Sequence, residues 1–138
     1  MASTEPYKPQ TVAAAIDTIE ATYELMLAYA AQGRQAEADD PLGVRDALRR
    51  ADAALGVLTA ATPEQLGSPG GAVAQATADM LAVLKRDVAD ARAAIRFVLA
   101  QRAIGSQIID NLNASIHIRA LLTDIFLIDE AFERADLE

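Results

Sequence analysis

Apolar residues return every three or four positions along most of this chain, and that rhythm limits what it can fold into. From Thr11 onward Val12, Ile16, Ile19, Tyr23, Met26 and Ala30 step by four and three. At about 100° per residue these side chains share one face, which predicts an amphipathic helix ending near Gly33. A second stripe follows in Val44, Leu48, Ala51, Leu55 and Leu58. Its start is expected at Asp40-Pro41, where the acid can cap and the proline suits a first helical position. Thr62-Pro63-Glu64 repeats that cap-then-proline signal and predicts one short turn, before the breaker-rich LGSPGG of residues 66–71.

A third helix is predicted from about Ala72 to Ala103, with Val73, Met80, Leu84, Val88, Ala91, Ile95 and Val98 inward. Lys85, Arg86, Asp90 and Arg96 read as its solvated side. Gly105-Ser106 then reads as a stop followed by a new cap. The rest of the chain reads as a fourth helix whose rhythm breaks. Ile108, Ile109, Leu112 and Ile116 share one face, while Ile118, Leu121, Leu122, Ile125, Ile128 and Phe132 share another. The two are displaced by roughly 150° on an ideal helix, whereas supercoil drift supplies only about 20° per heptad. This helix is therefore expected to be bent near Asn111–Ser115 or buried on two sides, since Asn and Ser are poor helix-interior residues.

These patterns predict an all-α chain, an antiparallel four-helix bundle over 11–138 behind a flexible N-terminal arm at 1–10. Composition agrees. A hydrophobic content of 52% argues against disorder despite a net charge of −8, and few aromatics leave a core of Ala, Leu, Ile and Val. The absence of cysteine excludes disulfide scaffolds, thiolate metal sites and cysteine nucleophiles. Acidic groups outnumber basic ones in both halves, 10 to 5 over residues 1–70 and 10 to 7 over 71–138, so no nucleic-acid partner is expected. MASTEPYKPQ shows no apolar leader, and Ile116–Ile128 is interrupted by His117, Arg119, Thr123 and Asp124. No membrane span is expected, and the chain is assigned to the cytoplasm.

Two polar constellations invite chemistry. Asp110, Asn113, His117 and Asp124 form a column if the last helix is straight, and a histidine flanked by carboxylates can act as base or ligand. Residues seven apart are about 10 Å apart along the axis, however, so the two aspartates cannot both reach His117 unaided. A polar seam is the plainer reading. Asp17, Glu20 and Glu24 line one side of the first helix. Carboxylate metal bundles pair such acids with Glu-x-x-His elements that this sequence lacks, so a solvated anionic strip, or ion pairs to Arg45 and Arg49, is the plainer expectation. No metal or cofactor is expected, and no phosphate-loop or nucleophile-elbow motif occurs.

Surplus apolar residues are the better clue. Leu25 and Tyr29, Phe97 and Ile104, and the second face of the last helix exceed what a four-helix bundle needs. They predict an interface made of Phe97, Ile104, Ile118, Leu121, Leu122, Ile125, Ile128 and Phe132, covered by a copy of the chain or by a partner helix. The competing expectation is cover by the chain itself, through the 62–66 turn or the N-terminal arm. The functional expectation is a non-enzymatic interaction module of the adaptor, assembly-factor or small-chaperone type, a homo-oligomer or a binder of a partner helix. A small helical enzyme or a carboxylate/His metal protein is the alternative. An apolar-ligand cavity lined by Met26, Met80 and Leu84 is a third.

Overall fold

The computed structural model describes residues 11–37, 43–66 and 72–137, with side chains through Phe132 in the last helix. The expected arm at 1–10, the Asp40-Pro41 helix start and most of LGSPGG lie outside the described residues. Among the described residues the chain is all-α, with five helices: α1 Val12–Ala30, α2 Val44–Thr59, α3 Ala72–Leu99, α4 Ser106–Ala114 and α5 Ile116–Leu137. α1 packs on α2 and on α4, and α3 packs on α2 and on α5. Among the described residues no helix is long and apolar enough to cross a membrane.

Local chemistry sets the helix ends. Thr11 caps α1 by accepting the Ala14 N–H at 3.0 Å. α2 begins after Gly43, whose φ of 68° is a left-handed conformation that suits glycine. Thr62 and Gln65 form a reciprocal capping pair: Gln65 Oε1 accepts the Thr62 N–H at 2.9 Å, and Thr62 Oγ1 accepts the Gln65 N–H at 3.4 Å. That single turn delivers Leu66 into the core.

The four-three stripes largely pack inward. Val12, Ile16, Ile19 and Met26 of α1, Val44, Leu48, Leu55 and Leu58 of α2, and Leu84, Val88, Ile95 and Val98 of α3 are buried together. Ile19, Met26, Leu55, Ile95, Ile118 and Leu121 meet where α1, α2, α3 and α5 converge, around a gap of only about 20 Å³. Val73 departs from expectation: it lies in the first turns of α3 and is 49% exposed. α3 also stops at Leu99, four residues before the predicted Ala103.

The fourth predicted helix is two helices, divided at Ser115. Its ψ of 147° is extended, ending α4, and its Oγ accepts the Ile118 N–H at 3.4 Å at the start of α5. The break resets the helical phase, which accounts for the change of apolar face. Ile109 and Leu112 are buried before the break and Ile118, Leu121, Leu122 and Ile125 after it. Ile116, assigned by spacing to the earlier face, falls beyond the break and is 74% exposed.

A polar clasp closes one end of the molecule. Ser106 Oγ donates to the Tyr29 carbonyl at 2.7 Å and accepts the Arg34 N–H at 2.8 Å, while the Ser106 N–H donates to the Arg34 carbonyl at 2.8 Å. The buried Tyr29 hydroxyl donates to the Ile104 carbonyl. Glu37 accepts the Ile104 N–H at 2.7 Å and pairs with Arg45 at 2.6 Å. Arg45 also donates to the carbonyls of Leu99 and Gln101, each at 2.9 Å. Arg45 thus serves the clasp and not the α1 acids that spacing assigned to it. The two strands of the clasp approach closely, and a Cβ on Gly105 would lie 3.0 Å from both the Arg34 and Gln35 carbonyl oxygens.

Candidate functional site

The break at Ser115 divides the polar column. Asp110 and Asn113 remain on α4, with His117 and Asp124 on α5. Asp110 and His117 are exposed, whereas Asn113 and Asp124 are buried. Among the described residues neither amide atom of Asn113 has a hydrogen-bond partner, and the same is true of Asp124 Oδ2.

The carboxylate that Asp124 meets is not in the column. It is Asp87 of α3, a residue the sequence reading did not single out. Burial, then a shared hydrogen bond with Asp87 and its negative charge, push the Asp124 carboxyl up to about 7.

The acidic strip of α1 faces another acid as well. Glu20 is raised by burial first and then by Asp129 of α5, Asp17 and Glu24. Among the described residues no three His, Cys, Asp or Glu side chains are grouped so as to hold a metal ion. The apolar-ligand cavity does not form around its three expected residues either. Met26 faces the small central gap, Met80 faces a surface groove between α3 and α5, and Leu84 is packed in the core.

Of the eight residues assigned to an interface, Ile104, Ile118, Leu121, Leu122, Ile125 and Ile128 are buried within the chain's own core. Phe132 is partly buried against that core, and Phe97 is 66% exposed. The chain supplies the cover itself. α4 packs on α1, α5 turns its second face onto α3, and Leu66 of the 62–66 turn reaches Ile128 and Phe132. Of the eight, Phe97 stays exposed, and Ile128 and Phe132 border a surface groove.

That groove runs along α3 and α5. Its volume of about 180 Å³ is lined by Leu66, Val73, Ala76, Thr77 and Met80 on one side and by Leu127, Ile128, Ala131 and Phe132 on the other. Val73 and Leu127 are half-exposed there, and Phe126 beside Leu127 is exposed too. Ile116, Ala120, Leu127 and Ala131 fall within about 60° on the α5 surface, a stripe legible from spacing that the sequence reading did not single out. A shallower hollow of about 540 Å³ continues from Asp124 past Thr123, Ala120 and Arg119 to Ile116 and Ala114. No protein-family model, curated protein or solved structure matches the chain.

Proposed function

We propose that this chain is a non-enzymatic protein-interaction module, an adaptor, assembly factor or small chaperone. Its helices on this reading form an antiparallel four-helix arrangement whose last member is divided at Ser115. The α3–α5 groove is its docking surface. The observation that carries this reading is the groove itself: an apolar channel between two helices, with Val73 and Leu127 left about half-exposed on its walls. A channel between two helices is the shape that receives a third helix through anchors at i, i+3 or i+4, and i+7.

The test is a Leu127→Glu substitution. It places a charge on the groove wall at an exposed position, so folding should survive. The expected outcome is that the wild-type chain binds a fluorescent hydrophobic dye or self-associates in light scattering. The variant should do neither, with its helical circular dichroism unchanged. A wild type that stays monomeric at high concentration and binds no dye would remove the basis for this reading.

A further inference from the structure

Next to the α3–α5 groove lies the hollow that Asp124 lines. Asp124 sits one turn before Leu127 and Ile128 on α5, is only 6% exposed, and its Oδ2 lacks a partner among the described residues. Asp87 of α3 stands beside it and is part-exposed, so the pair can be reached from the surface. The nearest basic group on the adjoining hollow is Arg119, and it forms no ion pair with either aspartate among the described residues.

We propose that the occupant of the groove is an amphipathic helix of a partner protein carrying one arginine or lysine, whose cation pairs with Asp87 and Asp124 while its apolar face fills the channel between Val73, Met80 and Leu127. This rests on the interaction-module reading and adds the partner's chemistry to it. Charge complementarity selects this occupant. Burial and the neighbouring Asp87 charge raise the cost of ionising Asp124, and a cation removes that cost at a site where little solvent screens the attraction. Arginine fits best, because its planar fork can donate to two carboxylates at once. A second copy of this chain would instead set one acid pair against the surface of another molecule of net charge −8. Spacing on α5 gives the partner's pattern. Asp124, Leu127 and Ala131 lie three and seven residues apart, so the cation should fall about one turn from the first apolar anchor and two turns from the next.

The experiment uses the full chain and two fluorescently labelled synthetic helices of about five turns. Both carry leucines at three- and four-residue spacing. They differ at one position, arginine in one and methionine in the other, read by anisotropy against wild type, Asp87→Asn/Asp124→Asn and Leu127→Glu. The arginine peptide should bind wild type about tenfold or more tightly than the methionine peptide. The double variant should lose that preference while keeping its affinity for the methionine peptide. Neither Asp→Asn change threatens folding, since each relieves like-charge repulsion. Equal affinities for wild type, or a preference that survives in the double variant, overturn the cation proposal. If both peptides bind equally and Leu127→Glu abolishes binding, the docking reading stands and only the proposed partner chemistry falls. If neither peptide binds any of the chains, both fall. Concentration-dependent dimers that Leu127→Glu dissolves would assign the groove to a second copy and overturn the proposal as well.

Discussion

Asp124 and Glu37 show how one type of group can act on stability with opposite sign. The Asp124 carboxyl is raised from 3.8 to about 7, so between those values the folded chain keeps a proton that the unfolded chain gives up. Stability should therefore be fullest at the acid end of that window, fall as pH rises through it, and level off above about 7. Asp124→Asn removes the group that must ionise, and should raise stability at pH 8 by on the order of 2 kcal/mol while narrowing to nothing near pH 4. Melting temperatures of both chains across that range check it, and a gap that does not close on acidification would contradict it. Glu37 runs the other way. The Ile104 N–H, and with it Arg45, holds its carboxyl below the usual range even though partial burial opposes this. Its contribution is complete above the ordinary carboxylate range and is lost as pH falls through the lowered value. Glu37→Gln should cost about 1–3 kcal/mol at pH 7, a loss that urea titration at pH 7 and at pH 3 should show shrinking with acid. Neither role was legible beforehand. Asp87 sits in the run Lys85-Arg86-Asp87, which reads as a solvated face, and the partners of Glu37 are a backbone N–H and an arginine reached through a loop.

At the scale of the elements, the four-three rhythm located α1, α2 and α3 because burying one stripe is the main constraint on an amphipathic helix. It misplaced Val73 because nothing in the rhythm says where a neighbouring helix stops covering its partner. The last helix was legible only as an inconsistency. Two apolar faces were visible at Ile109–Leu112 and Ile118–Ile125, but a bend and two-sided burial fit that pattern equally well. Ser115 resolves it by ending one helix and capping the next. Ser115→Ala should therefore lower stability by about 0.5–2 kcal/mol, the usual cost of losing such a cap. Denaturant midpoints check this, and an unchanged midpoint would mean that the serine hydroxyl does not support the break. Gly105→Ala tests the neighbouring junction. Its new methyl would meet two carbonyl oxygens that belong to backbone and cannot rotate away, so the clasp must open by a few tenths of an ångström. A melting temperature lower than wild type, with helix content preserved, is the expected result.

The molecule as a whole is asymmetric from end to end. Hydrogen bonds from Tyr29, Arg34, Glu37, Arg45 and Ser106 secure the end where α1, α2, α3 and α4 meet. Along α3 and α5, where Val73 and Leu127 face each other, apolar contact dominates and part of it stays open. The sequence revealed that apolar surface was in excess but not which residues carried the excess, because α4, α5 and Leu66 spend most of it inside the chain. The clasp also sets the order of events during folding. Its bonds join residues 67, 72, 75 and 77 positions apart, so the loop between them must close before any of them forms. Helices and their hairpin neighbours bring residues together locally and cheaply, whereas distant contacts repay their closure entropy only at the end. The clasp is then the last part of the molecule to set, a latch that holds the finished fold shut and contributes little to reaching it. Tyr29→Phe should accordingly speed unfolding in stopped-flow denaturant jumps while leaving the refolding rate nearly unchanged.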